Sequence, residues 1–299
     1  MEPVLIIDEL GPEAASASGR DLARSVEAAR LVGFRTFSVP VELPRGGEPR
    51  DVLSNLAPGR GAPALFSGFI PLRERYEQLA AALIEKGYRV VVSPAAHQQV
   101  LELAASVAVL RELTTPMAVI NDASRALEVV KSLGFPLFLK GAVQSLKHEG
   151  VDACVARDEA ALLRVVQLLL RRSAHSRGRV IARPLLKLRH VRTTPNGFPA
   201  GREYRAVVFD GEVVGLAPYW DGVDALTALS AAEAAQVHAL VLEAASRFDS
   251  PLVGVDVGQA EDGRWWVIET NDPQFMGLSQ LAPLTLWNRL FRALHPHAA

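Results

Sequence analysis

The first hundred or so residues alternate short apolar runs with stretches of helical periodicity. VLIID (4–8), RTFSV (35–39), APALF (62–66) and YRVVVS (88–93) read as short buried strands. Between them, GRDLARSVEAARLVG and PLRERYEQLAAALIEKG place apolar residues at helical spacing, each closed by a glycine near its C-terminus. Strand–helix alternation of this kind predicts an open, largely parallel α/β sheet. Pro40 to Arg60 is rich in Pro and Gly and reads as a loop. No G-x-G-x-x-G follows any of these strands, so a dinucleotide fingerprint is absent.

A second unit begins near TTPMAVINDASRALEVVKSLG, where Asp122 or Ser124 caps a helix ending at Gly134. FPLFLKG then reads as a strand, ARDEAALLRVVQLLLRRS as an amphipathic helix capped by Asp158, and GRVIARPLL as another strand. The third unit is built on hairpins. REYRAVVF-DG-EVVGLAPYW and LVGVDVGQAE-DG-RWWVIETND each place an Asp-Gly turn between alternating strands, with the helix SAAEAAQVHALVLEAASRF between them. PLTLWNRLFRALHP is amphipathic and is expected to pack back on the sheet. The expected units are 1–112, 113–185 and 186–299.

Composition narrows the class. At 49% hydrophobic and 22% charged, the 299 residues have ordinary globular values and ample material for a core. A net charge of -1 gives no reason to expect nucleic acid or a membrane as partner. The basic run RRSAHSR falls at a helix C-terminus, where cations complement the dipole. The single cysteine, Cys154, excludes an intrachain disulfide and fits a reducing compartment. The first residues lack the basic and apolar regions of a signal peptide, and no apolar run approaches the roughly 20 residues that span a bilayer. A cytoplasmic location is expected. No histidine pair has zinc-site spacing.

The second hairpin carries the candidate chemistry. If Asp262-Gly263 is a two-residue turn, counting back sets Asp256 directly opposite Glu269, and Asn271 shares their face. Gly254 and Gly258 on that face would leave open space, while Val253, Val255, Val257, Trp266 and Ile268 would form a core on the other. Like charges facing each other destabilise a plain sheet. A divalent cation removes the conflict, and hard oxygen ligands suit Mg²⁺; a solvated face with incidental acids is the alternative. Asp272 falls on the opposite face.

Cations occur in matching places. Lys140 ends an apolar strand, either snorkelling to the surface or reaching for a bound anion. Lys147 follows in the polar loop SLKHEGV, which could fold over phosphates. Arg205 lies mid-strand among Val207 and Phe209, and Arg183 just before a proline. Each needs an anionic partner, a phosphate or a carboxylate. Trp220 borders a ligand pocket or fills a core, and the insert HVRTTPNGFPAGR either contacts a ligand or is a free loop.

Taken in order, Lys140, VIARPLL, Arg205, Asp256 and the ETN of Glu269 and Asn271 resemble the ATP-grasp superfamily. The stretches LFLKGAVQSLKHEG, VIARPLL, REYRAVVFDGEVVGLAPYW and VDVGQAEDGRWWVIETNDPQ are most similar to its clade named for one arginine and two lysines. The resemblance implies an α/β N-terminal domain followed by an α+β ATP-grasp fold, two lobes enclosing a nucleotide. Adenine would lie at the hinge from Arg183 to Leu185, and Lys140 and Lys147 would grip phosphates. Arg205 would face the transferred phosphoryl group, and Asp256, Glu269 and Asn271 would hold Mg²⁺. It implies an ATP-dependent carboxylate–amine ligase working through an acyl phosphate. A phosphotransferase or a catalytically decayed nucleotide-binding module are the alternatives, and a homodimer is open. The chain departs from the clade pattern at two places. Gln144 stands where the second lysine is expected, with Lys147 as its substitute, and Arg73 or Arg75 only loosely replaces an arginine of the preceding domain.

Overall fold

The computed structural model describes residues 2–42 and 47–295. Among these residues, three four-stranded sheets follow one another. The first contains β1 (Val4–Asp8), β2 (Arg35–Val39), β3 (Pro63–Ser67) and β4 (Arg89–Val90), all parallel, in the order β2-β1-β3-β4. Alternate side chains of β1 serve opposite faces, as strand geometry requires. Leu5 and Ile7 pack with helix Ala17–Leu31, and Val4 and Ile6 pack with helix Arg73–Glu85. The two helices therefore cover opposite sides of the sheet, and the winding reverses between β1 and β3.

The second sheet, antiparallel, has the order β5-β8-β6-β7: β5 (Ala118–Ile120), β6 (Leu137–Gly141), β7 (Val155–Ala156) and β8 (Val180–Pro184). Helix Glu159–Arg171 covers it, and the Asp158 carboxylate accepts from Ala161 N–H at 2.8 Å at the N-cap. The third, also antiparallel, has the order β10-β9-β11-β12: β9 (Glu203–Phe209), β10 (Glu212–Pro218), β11 (Leu252–Gln259) and β12 (Trp265–Asn271). Helix Ala231–Ser246 backs it, entered through a capping box between Ser230 and Glu233.

Several sequence expectations need correction. YRVVVS gives only the two residues of β4 because Ser93 already caps the next helix, accepting from Ala96 N–H, with Pro94 in its first turn. Asp122 starts a 3₁₀ turn at Ala123–Arg125, and the α-helix that follows covers only Ala126–Val130, well short of Gly134. The expected loop from Pro40 to Arg60 contains a short helix, Pro49–Val52; residues 43–46 lie outside the described residues. The RRSAHSR cations do more than complement a dipole. Arg177, and Arg179 just beyond the run, both pair with the buried carboxylate of Glu102, tying this segment to the helices that follow β4.

The closing helix, Pro283–Leu294, packs against helix Ala17–Leu31 as well as the third sheet. Leu5, Leu22, Val207, Phe209, Leu252, Trp287 and Leu290 form one core, and Trp287 Nε1–H donates to Ser25 Oγ at 2.9 Å. The first and third sheets thus share a hydrophobic core, a contact that no local pattern announces. No helix among the described residues is long and apolar enough to cross a membrane.

Candidate functional site

The hairpin β11–β12 brings Asp256 opposite Glu269 and Gly254 opposite Asn271. The route to that register differs from the simple count. Ala260 and Arg264 close a three-residue loop, with Gly263 at φ +90°, so the turn is one residue longer than two. A β-bulge at Ile268, between the pairs Val257–Val267 and Asp256–Glu269, moves the register back. The two shifts cancel at the carboxylates but not between them. Trp265 and Val267, in place of Trp266 and Ile268, enter the core with Val253, Val255 and Val257. Ile268 turns instead to the face of Gly258 and lines a cleft.

The glycines do not leave open space. A Cβ at Gly254 would lie 2.8 Å from Met276 Sδ, and one at Gly258 would lie 2.9 Å from Leu188 and 3.0 Å from Ile268. They allow close approach of neighbouring chain, and at Gly258 any side chain would press on the cleft wall.

Each carboxylate has a cation beside it. β9 pairs with β11 so that Arg205 faces Asp256, and the guanidinium donates from Nε at 2.8 Å and from a terminal nitrogen at 2.6 Å. The other terminal nitrogen donates to the Gly277 carbonyl, and Tyr219 lies 4.8 Å under the guanidinium. Lys140, at the end of β6, donates to Glu269 at 2.6 Å. Asn271 Nδ2 lies 3.4 Å from Asp256. Burial pushes the Asp256 carboxyl up, against the opposing pull of Arg205. Burial acts on Glu269 in the same sense, but Lys140 and Lys147 outweigh it and hold this carboxyl well below the usual range.

The donor set is two carboxylates and an amide, all hard oxygen ligands on one sheet face, which fits a Mg²⁺-type ion. Among the described residues no group of three or more His, Cys, Asp or Glu side chains could hold a metal, so the third donor would have to be the Asn271 amide. The cations that would have to part from these oxygens, Lys140 and Arg205, are themselves suited to phosphate.

A cleft of about 390 Å³ opens beside this cluster, between the second and third sheets. Phe138, Arg183, Leu185, Leu188, Phe198 and Ile268 are among its walls. Arg183 donates to the Ile268 carbonyl at 2.7 Å and stacks 5.2 Å from the Phe138 ring, and burial draws its pKa down. Leu185 N–H donates to the Pro136 carbonyl at 2.9 Å, extending the β6–β8 ladder past Pro184. The insert HVRTTPNGFPAGR folds over this cleft: Gly197, Phe198 and Pro199 line it, and Asn196 donates to the Lys147 carbonyl at 2.9 Å.

Lys147 reaches the cleft from the loop after β6. Its ammonium lies 5.2–5.9 Å from the ring centres of Phe138, Phe198, Tyr219 and Trp220, and 3.5 Å from Glu203. Burial lowers its pKa, but Glu203 and its other anionic neighbours overcome that and raise it. Sequence reasoning missed Glu203, although it stands two residues before Arg205 on the same strand face. Its carboxylate, 4% exposed, also accepts from Trp220 Nε1–H at 2.7 Å. Arg73 and Arg75 are not part of the site, since they pair with Glu77 and Asp8.

Residues 127–290, more than half of the 299, match the sequence model of an ATP-grasp domain, family 3 of the clade named for one arginine and two lysines. The chain is an ATP-grasp protein of that clade. No curated protein matches it in sequence. Among solved structures, the D-alanine–D-alanine ligase of Bacillus anthracis superposes with TM-score 0.66 at 14% identity, covering 99% of this chain and 95% of that one. The same enzyme complexed with ATP gives TM-score 0.62 at 14% identity, over 94% and 87%. A RimK domain ATP-grasp protein of Sphaerobacter thermophilus DSM 20745 gives 0.61 at 21% identity, over 97% and 98%. At these identities the likeness speaks for the fold. In this ATP-grasp chain the cleft between the two antiparallel sheets is lined by Lys147, while Gln144 lies outside it.

Proposed function

We propose that the chain is an ATP- and Mg²⁺-dependent carboxylate–amine ligase acting through an acyl phosphate. The observation that carries this reading is the charge cluster beside the cleft. Two carboxylates face each other in register, each held by a buried cation, beside a mostly apolar cleft with Lys147 and Arg183 in its walls. Acids opposed on neighbouring strands destabilise a plain sheet.

In this reading the adenine lies against Phe138, Leu185 and Ile268, and Lys140 and Lys147 neutralise phosphate oxygens. Asp256, Glu269 and Asn271 hold Mg²⁺, whose contribution is to offset phosphate charge. Arg205, anchored by Gly277, stabilises charge on the transferred phosphoryl group. A carboxylate oxygen attacks the γ-phosphorus and ADP leaves; an amine then attacks the acyl carbon, releasing phosphate and a proton. The chain contributes positioning and charge neutralisation, and no side-chain nucleophile is required.

The test is to screen carboxylates and amines with ATP and Mg²⁺ for ADP release and for a condensed product. A carboxylate labelled with heavy oxygen must pass one labelled atom to the released phosphate. Label retained wholly in the product refutes the acyl phosphate. Tight ATP binding without turnover on any pair favours a nucleotide-binding module, a reading supported by carboxylates already compensated by Lys140 and Arg205 and by Gln144.

A further inference from the structure

Asp272 comes directly after Asn271, the third donor of the proposed metal site, yet stands outside the charge cluster. It is fully buried. Burying a carboxylate is costly unless it is paired and hydrogen-bonded, so its partners show what it is kept for.

Side chains alternate along the end of β12. Glu269 and Asn271 belong to the cluster, and the two residues that alternate with them both reach one helix on the other side, Pro94–Leu101. Thr270 Oγ1 donates to the Val100 carbonyl at 2.8 Å, and Asp272 pairs with Nδ1 of His97 at 2.8 Å. Val100 stands in the last turn of that helix, where carbonyls have no partner within the helix. The Thr270 contact therefore has a sufficient structural cause. The His97–Asp272 pair has no such cause, since apolar residues of similar volume would fill a buried site at equal or better stability.

His97 is as specialised as its partner. It is 2% exposed, and its ring lies 4.4 Å from that of Tyr76 and 5.2 Å from that of Phe275. Its Nε2 is buried without a hydrogen-bond partner among the described residues, so the polar bonding of the ring is directed at Asp272 alone.

The sheet itself leaves the position of Asn271 open. β12 is the edge strand, paired with β11 alone, and Asn271 is its last residue. What holds residue 272 therefore sets where the Asn271 amide points. Besides His97, Asp272 accepts from Gln274 N–H and from Gln274 Nε2, both at 3.0 Å. Gln274 in turn accepts from Phe66 N–H at 2.8 Å and donates to the Tyr76 hydroxyl at 3.0 Å. This buried network fastens the chain just beyond the strand to β3 and to helix Arg73–Glu85.

We infer that His97 and Asp272 are positioning residues for the metal centre: the pair holds the end of β12 so that Asn271 and Glu269 face Asp256 and can share one ion with it. The metal's role rests on the ligase reading, but its binding can be measured apart from turnover.

The test is calorimetric titration of ATP, with and without Mg²⁺, into wild type, His97→Phe, His97→Asn and Asp272→Asn, with a melting temperature for each. His97→Phe keeps a ring beside Tyr76 and Phe275 and deletes the donor, whereas His97→Asn returns an amide nitrogen near the place of Nδ1. In wild type, Mg²⁺ should tighten ATP binding by at least about tenfold. His97→Phe and Asp272→Asn should each cut that increment by about threefold or more while metal-free ATP affinity is unchanged, and His97→Asn should restore it. If His97→Phe does not fold, Asp272→Asn, which keeps an acceptor for Gln274 N–H, decides alone. A folded His97→Phe or Asp272→Asn that keeps the full increment overturns the inference, as does one that loses metal-free affinity by the same factor. Equal loss in His97→Phe and His97→Asn assigns the effect to packing and overturns it too. No increment in wild type discards the metal site and the inference together. An increment that depends on His97 in a protein without turnover on any substrate pair keeps the inference and discards the ligase.

Discussion

Replacing Asp256 by Asn removes a charge from the centre of the cluster at almost constant volume. Asp256 is 1% exposed and is held by two Arg205 hydrogen bonds of 2.8 and 2.6 Å. Leaving a buried cation without its partner costs about 3–5 kcal/mol. Relief of the repulsion from Glu269 opposes this, which places the net cost near the lower end, about 3 kcal/mol. An unfolding entropy of about 2.1 cal/mol/K per residue over 299 residues is about 0.6 kcal/mol/K. The melting temperature of Asp256→Asn should therefore fall by about 5 °C in calorimetry without nucleotide. The double variant Arg205→Met, Asp256→Leu removes both charges and should recover most of that loss, yet bind Mg²⁺–ATP poorly. A single variant that melts with wild type would show that the pair contributes nothing to stability. A double variant that still binds Mg²⁺–ATP normally would show that the pair is not kept for the nucleotide.

Other expectations follow from the same contacts. Lys147→Met should weaken ATP binding by roughly ten- to a hundredfold, the value of a charge-assisted contact, measured by calorimetry; equal affinity would remove Lys147 from the phosphate site. Gln274→Ala leaves the buried Phe66 N–H without an acceptor and should cost about 2 kcal/mol in urea unfolding; an unchanged midpoint would contradict the network. Hydrogen bonds from Arg202 and Ser230 draw the Glu233 carboxyl down from 4.5 to about 2. Because the folded value is the lower one, its contribution is complete above 4.5 and is lost as pH falls from there toward 2. Glu233→Gln should flatten the acid limb of stability measured by urea titration against pH.

Much of this molecule was legible in its sequence because the informative patterns are local. β1 and β2 match their apolar runs, and the Asp158 cap and the Ser230 helix follow from first-turn chemistry. The opposition of Asp256 and Glu269 was also readable, though partly through cancellation. Period-two counting detects neither a third turn residue nor a bulge, so the count places Trp266 and Ile268 on the wrong face. Contacts set by tertiary packing were not legible. The aromatic box around Lys147 draws on segments distant in the chain, and the core shared by the first and third sheets depends on where helix Pro283–Leu294 docks. Glu203 was within reach, since the two-residue spacing that singles out Arg205 puts Glu203 on the same face.

The most direct test of the central claim is calorimetric titration of ATP into wild type and Glu269→Gln, with and without Mg²⁺. In wild type, Mg²⁺ should tighten ATP binding by at least about tenfold, or about 1.4 kcal/mol. In Glu269→Gln that increment should vanish, while metal-free affinity stays equal or rises because Lys140 is released toward the phosphates. A variant that keeps the full Mg²⁺ increment would contradict the placement of the metal and phosphates on this cluster.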